Sequence, residues 1–445
     1  MMSRVLTLLR PRLGQDARLS ARRGVTTVID QGVASLTNFL SGVIVARTCA
    51  RSELGLYSLG FGAALLLMSA QTYLVSVPYN VYCMRVPAEE RAAYTGSVLL
   101  HQLAIAAASA VTLAVAALVA AHGAGVPGMA PVLAMLSVAI TLMLAREFGR
   151  QLLFSRLRFS SALVLDCVVA VLQVGGLLVL AATGRLSARA AFAVTGLACG
   201  AAVALGAVMA RRLFAFSSRR IASDFRRNWV TGRWALAAGL TSVGSAQLYP
   251  WLLALTRGPD EAGILAACTG ITNFTNPVVI GLGNLLAPSI THAFAARGIQ
   301  GLQHVTRSAL LAFVVVMSVM CPALFVGGGA LLRWVYGPAY APYGLTVGLL
   351  SLGLVADWLS LPAHYALLFM ERADITFKAN VIQLGVAVSL GFALVARLGA
   401  TGAALGLILA YALSTAYKWR EYRRKIGSVA ADVQAVPLPA AETTS

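Results

Sequence analysis

RRLFAFSSRRIASDFRRNWVTGR, residues 211–233, places seven arginines in one short polar segment near the middle of a 445-residue chain. Charge almost vanishes on both sides of it. Toward the N-terminus lie six apolar runs, at about 25–46, 54–82, 92–121, 130–150, 160–183 and 190–210. Toward the C-terminus lie six more, at about 234–256, 262–288, 307–327, 344–370, 376–396 and 400–417. A run of about 20 apolar residues crosses the hydrocarbon core as a helix, because only intra-segment hydrogen bonding satisfies the backbone there. The pattern predicts an all-α polytopic membrane protein of about twelve transmembrane helices in two six-helix lobes. The expected order is a basic cytoplasmic leader (1–24), an N-terminal lobe (25–214), a linker (215–232), a C-terminal lobe (233–420) and a tail (421–445), disordered after about 427.

Composition agrees with this. Hydrophobic residues make up 59% and charged residues 11%, with a mean hydropathy of +0.79. A water-soluble fold of this length could not hide that much apolar surface. The formal net charge of +19 sits in short clusters between apolar runs, without the aromatic platform of a nucleic-acid binder. Membrane lipids are the expected counter-charge, and no nucleic acid is expected. Six cysteines (Cys49, Cys83, Cys167, Cys199, Cys268, Cys321) lie scattered in apolar segments with no CxxC spacing, which reads as buried, inert thiols. The leader has no apolar stretch long enough for a signal peptide.

Placing both termini in the cytoplasm puts 28 of the 35 lysines and arginines in inside segments and 7 in outside loops. Cationic loops resist translocation, so this bias sets the orientation. The two halves also repeat. A shift of 207 or 208 residues sets Gly32, Ser35, Asn38, Glu53 and Gly55 against Gly239, Ser242, Ser245, Glu261 and Gly263. Pro78 corresponds to Pro288, and a shift of 214 sets Arg158 and Asp166 against Arg372 and Asn380. Six helices per repeat give both the same orientation, so a pseudo-two-fold axis along the membrane normal is expected, with the substrate path between the repeats.

Val28 to Gln31, Gly32, Ser35 to Phe39, and Ala46-Arg47 before Glu53-Leu54-Gly55-Leu56-Tyr57 resemble the opening of Wzx-type polysaccharide flippases. Arg146 to Arg150, followed by Arg156 and Arg158, and Tyr336 to Pro342 resemble later segments of that family. It belongs with multidrug extruders and lipid II flippases in the multidrug/oligosaccharidyl-lipid/polysaccharide exporter superfamily. The resemblance implies translocation of a lipid-linked oligosaccharide across a bacterial cytoplasmic membrane by alternating access, and other polysaccharide-assembly proteins as possible partners. It carries no catalytic signature.

Ionisable groups inside spans are costly and thus become candidates for function. Asp357 is thirteen residues into the tenth run, roughly 20 Å along a helix, with His364 on the same face. Asp30 and Asp166 lie just inside the first and fifth helices. These three carboxylates are the candidates for coupling to a proton or sodium ion; a structural hydrogen bond is the competing reading of Asp357. Gln31, Ser35, Asn38 and Gly42 form a polar stripe beside Asp30, suited to a cavity or a partner helix. Gln247 in the seventh helix and Asn273 and Asn276 around Pro277 in the eighth are further cavity candidates. Arg146 and Arg150, four apart at the cytoplasmic end of the fourth helix, would suit a pyrophosphate through bidentate hydrogen bonding, although topology signalling alone also explains them. His101 and Gln102 read as an interhelical hydrogen-bonding pair. Trp334, Tyr336, Tyr340 and Tyr343 read as an interfacial aromatic belt.

No cofactor or resident metal is expected. A membrane-embedded polymerase or ligase would place carboxylates or histidines in a sizeable outside loop, and the longest one here has a single charged residue, Arg333. The competing transporter reading is a cation-coupled multidrug or small-solute antiporter.

Overall fold

A computed structural model describes residues 2–216 and 218–434. The described residues are helical apart from short turns, with no strand. α1 (Met2–Thr48) runs without a break from the basic leader into the first span. The second span is α2 (Arg51–Gln71), a π-helical turn (Thr72–Ser76) and α3 (Val77–Tyr82), stacked end to end. α4 (Arg91–Ala121), α5 (Met129–Ser155), α6 (Phe159–Ala182) and α7 (Ala188–Ala210) follow, and α8 (Ser218–Arg257) takes up most of the arginine-rich segment. Then come α9 (Pro259–Thr272), α10 (Asn276–Tyr336), α11 (Gly344–Trp358), α12 (Leu361–Phe369), α13 (Ala373–Val386) and α14 (Phe392–Gln434).

Two of these helices are too long for one crossing. α10 has 61 residues, about 90 Å at 1.5 Å per residue, three times the thickness of a hydrocarbon core. Gly298 divides it with φ 58° and ψ −138°, and Gly399 divides α14 in the same way with φ 61° and ψ −137°. Only glycine adopts that backbone without strain. Nine described segments are long and apolar enough to span, and two of them contain these breaks. α8, diluted by Ser, Thr, Gly and Gln, supplies the twelfth crossing. The tail stays helical to Gln434, beyond the expected onset of disorder, and residues 435–445 lie outside the described part.

The chain forms two compact units, Met1–Leu240 with Gly258–Gly263, and Thr241–Arg257 with Ile264–Ser445. In the first, α5 packs on α4 and α7, and α6 on α1 and α7. Gly196 lies against Ala139, a small-on-small contact of the kind that lets membrane helices approach closely. Tyr79 and Tyr94 stack in its core with Val75, Val98, Phe148 and Leu152. The Glu53 carboxylate accepts a hydrogen bond from the Ala188 N–H at 2.6 Å, capping the N-terminus of α7 where the helix dipole favours an anion. In the second unit α11 packs on α10 and α14, and α13 on α14. The ring of Tyr249 fills the space that the missing side chains of Gly391 and Gly406 leave.

The internal repeat is visible in backbone detail. Leu157 and Glu371, 214 positions apart, are the two described non-glycine residues with positive φ, at 58° and 59°. Their turns share a hydrogen-bond pattern. Leu157 N–H donates to Phe154 and Arg158 N–H to Leu153, as Glu371 N–H does to Leu368 and Arg372 N–H to Leu367. Gly55 packs on the backbone of Pro259 and Gly263, and Gly263 on that of Arg51 and Gly55. Positions 51 and 55 thereby meet 259 and 263, their counterparts at the 208-residue shift.

Large apolar side chains such as Leu197 (73% exposed) and Val326 (87%) stand on the outer surface. Exposure on this scale is unfavourable in water and natural in lipid. Three expectations are corrected. Of the aromatic belt only Trp334 is exposed, at 76%; Tyr343 is half-buried, and Tyr336 and Tyr340 are buried with ring centroids 5.9 Å apart. Cys167 is exposed and Cys49 half-buried rather than buried. His101 makes the expected interhelical bond, to the Ile221 carbonyl of α8 at 3.0 Å, but Gln102 does not join it: both amide atoms of buried Gln102 lack a partner among the described residues.

Candidate functional site

α5 presents Arg146, Glu147 and Arg150 within one turn and a half of helix, close to its C-terminal end. α1 brings Asp30 to them and α6 brings Asp166, both inside the first unit. Arg150 Nη1 is 2.9 Å from Asp30 Oδ2 and 3.6 Å from Asp166 Oδ2, and its Nε is 3.2 Å from Glu147 Oε2. Arg146 is paired with Asp166 through Nη2 and lies 3.5 Å from Glu147 through Nη1. Gln151 Nε2 donates to Glu147 Oε1 at 3.0 Å, and the Arg150 guanidinium stands over Phe154 at 5.0 Å. The carboxylates of Asp166 and Asp30 are 0% and 2% exposed, and the two arginine side chains 15%.

The charge count matters because the two aspartates are buried. Three carboxylates face two guanidinium groups, so the fully ionised cluster carries one net negative charge. Asp30 Oδ1 and Asp166 Oδ2 accept no hydrogen bond among the described residues, and Arg146 Nε donates none. A buried carboxylate oxygen without a donor is costly, and one bound proton removes both the excess charge and part of that cost. Among the described residues, no three His, Cys, Asp or Glu side chains converge so as to hold a metal ion.

From the sequence, these arginines are candidates for a substrate cavity and these aspartates for coupling. The geometry joins them in one network, with both guanidinium groups committed to carboxylates. It separates Asp30 from its neighbours on α1. Asp30 turns into the bundle on the side of Thr37 and Ser41, and Gln173 Nε2 donates to Ser41 Oγ at 2.9 Å. Gln31, Ser35 and Asn38 lie on the exposed side, with Gln31 reaching Ser35 at 3.4 Å. Glu147 was missed, although it stands between the arginines in the sequence.

In the second unit, Asp357 is half-buried in the last turn of α11; its backbone carbonyl accepts from the Ser360 N–H at 3.0 Å, and its carboxylate accepts no hydrogen bond among the described residues. The charge acting on it is Lys418 of α14. Lys418 is buried and donates from Nζ to Ser360 Oγ at 3.1 Å, while Thr415 Oγ1 donates to the Ala356 carbonyl at 2.6 Å. Sequence reading ended the last helix at 417 and so missed Lys418. His364 lies past the break between α11 and α12 and bonds Thr376 at 3.0 Å. Asn273 and Asn276 bond each other at 3.3 Å, and Gln247 is half-buried in α8. The shift of 214 sets Arg146, Arg150 and Asp166 against Ser360, His364 and Asn380. The repeated scaffold thus carries a charged network in one unit and mostly neutral groups in the other.

Helix lengths and the apolar outer surface together define a multi-pass, all-helical membrane fold. Solved structures that share this fold include membrane transporters. A multidrug resistance transporter of the MATE family, MOP superfamily, in an inward-facing conformation, aligns with a TM-score of 0.76 over 89% of this chain and 96% of its own, at 13% identity. A MOP superfamily transporter from Pyrococcus furiosus Vc1, whose binding pocket of reverse polarity suggests a different function, gives 0.63 over 93% and 96% at 12% identity. An outward-facing MATE family structure gives 0.61 over 93% and 96% at 13% identity. No family model and no curated protein matches the sequence.

Proposed function

We propose that this protein is a flippase that moves a lipid-linked oligosaccharide, of the polyprenyl-pyrophosphate type, from the inner to the outer leaflet of a bacterial cytoplasmic membrane. Alternating access of the two units would carry the substrate, with both termini in the cytoplasm. The observation that carries the reading is the coincidence of the transporter fold with the flippase-like segments at residues 28–57, 146–158 and 336–342. Cell surface polysaccharide assembly would be the pathway served.

The network of Asp30, Glu147, Arg146, Arg150 and Asp166 is the proposed coupling site. Its excess carboxylate suits one proton, taken up in one access state and released in the other. The two arginines set that proton's affinity and hold the carboxylates in place. Asp357, faced by Lys418, is the proposed second charge-sensitive position.

The antiporter reading has support of its own, since the structures sharing this fold include multidrug transporters. A deletion strain separates the two. Accumulated inner-leaflet lipid-linked oligosaccharide and loss of a surface polysaccharide support the flippase. Normal polysaccharide with new sensitivity to cationic drugs supports the antiporter.

A further inference from the structure

The N-terminal part of α8, within the first unit, divides sharply into two faces. One face meets the π-helical turn, α3 and α4, largely through polar groups. Tyr94 Oη donates to Asn228 Oδ1 at 3.0 Å, Tyr82 Oη bonds Thr231 Oγ1 at 2.7 Å, and the Ile221 carbonyl meets His101. Gly232 lies on the backbone of Tyr73, which leaves no room for a side chain. The opposite face exposes Phe225, Arg226, Arg227, Trp229, Val230 and Trp234. Phe225 and Trp229 stack with centroids 6.3 Å apart, and Arg233 stands 5.7 Å over Trp234. Alternating arginine and tryptophan on one exposed face is the pattern of a helix lying where acyl chains meet headgroups.

A pocket of about 560 Å³ opens on this face, lined by Tyr82, Ala222, Ser223, Arg226, Arg227 and Val230. Its position at the end of the spans is fixed by its walls. α3 stops at Tyr82, α4 begins at Arg91, and the Ala215 N–H donates to the Ala92 carbonyl, which ties the α7–α8 connection to the start of α4. The carboxylates nearby face Arg220 rather than Arg226 or Arg227. Glu90 pairs with Arg220 at 2.6 Å, and Asp224 lies 4.0 Å from Arg220. No carboxylate among the described residues pairs with Arg226 or Arg227. Arg227 is held over the Tyr82 ring at 3.8 Å, which pre-orients its guanidinium group.

We propose that this pocket is a binding site for the phosphate headgroup of an anionic glycerophospholipid. Arg226 and Arg227 supply the fork of donors that suits phosphate oxygens, and Val230 and the flanking aromatics meet the acyl chains. The site is separate from the Asp30–Arg150 network and does not depend on which substrate is carried. Its role is to fix the depth and orientation of α8 at the bilayer surface.

The test uses the full chain in detergent, with dioleoylphosphatidylglycerol, dioleoylphosphatidylcholine and undecaprenyl pyrophosphate as separate probes. Bound lipid is counted by native mass spectrometry, and contact is read from quenching of tryptophan emission by acyl-brominated phosphatidylglycerol. Wild type is expected to retain phosphatidylglycerol over phosphatidylcholine. Arg226→Gln and Arg227→Gln should each weaken retention about fivefold, at about 1 kcal/mol per arginine near a membrane surface. Arg226→Lys and Arg227→Lys keep the charge and should recover most of it, which guards against a simple folding defect. Arg233→Gln, outside the pocket, should change retention less than either. Equal retention of both phospholipids, unchanged retention in the two Gln variants at normal expression, or preference for undecaprenyl pyrophosphate would each overturn the proposal.

Discussion

Replacing Arg150 with methionine keeps an unbranched apolar stem and removes the guanidinium charge. Arg150 touches all three carboxylates of the network, at 2.9 Å to Asp30, 3.2 Å to Glu147 and 3.6 Å to Asp166. Its loss takes the ionised cluster from one net negative charge to two and leaves Asp30, 2% exposed, with no remaining cation in contact among the described residues. Breaking a buried pair by removing one partner costs about 3–5 kcal/mol, mostly through the charge left behind. At roughly 2 °C per kcal/mol for a unit of this size, Arg150→Met should lower the apparent melting temperature by about 6–10 °C in a fluorescence-detected gel-filtration assay. Adding Asp30→Asn to Arg150→Met restores the original net charge, so the double variant should regain at least half of the loss, a coupling of about 2 kcal/mol. No destabilisation by Arg150→Met, or a double variant less stable than Arg150→Met alone, would refute the network as described.

Other expectations follow from particular contacts. Asp357→Asn should fold and reach the membrane normally but lose most coupled transport. Lys418→Met should destabilise the second unit, and combining it with Asp357→Asn should relieve that defect, which a stability measurement on all three variants checks. Gly55→Ala should cost about 1–3 kcal/mol or more, because the new methyl would run into the Pro259 carbonyl; expression and melting temperature read this directly. A single cysteine at position 220, in a background without native cysteines, should resist an impermeant thiol reagent added from outside, whereas outside labelling would reverse the orientation.

The helices were legible in the sequence because the bilayer sets a simple rule of length and apolarity, and Gly298 and Gly399 fall inside connections that the polar residues already marked. The repeat was legible as well. The pairing of Arg158 with Arg372 reappears as two helix starts preceded by the same left-handed turn at Leu157 and Glu371. The charged network was only half legible. Its members were identified singly, but Asp30 lies 120 positions from Arg150 and Asp166 lies 20 from Arg146, and no local pattern reports such pairings. Lys418 escaped notice because a terminal basic cluster reads as a topology signal, whereas α14 carries its first lysine inside the bundle. Tyr336 and Tyr340 were misjudged because an aromatic cluster beside a loop has the same composition whether it faces lipid or packs on itself.

The central claim is tested most directly by reconstitution. Purified protein in proteoliposomes would be given a fluorescent polyprenyl-pyrophosphate oligosaccharide, and its appearance in the opposite leaflet followed by enzymatic accessibility, with and without an imposed pH gradient. The account predicts flipping that accelerates with the gradient and loses that dependence in Asp166→Asn. Failure to move the lipid-linked sugar in correctly folded protein, together with gradient-driven export of a cationic dye, would contradict it.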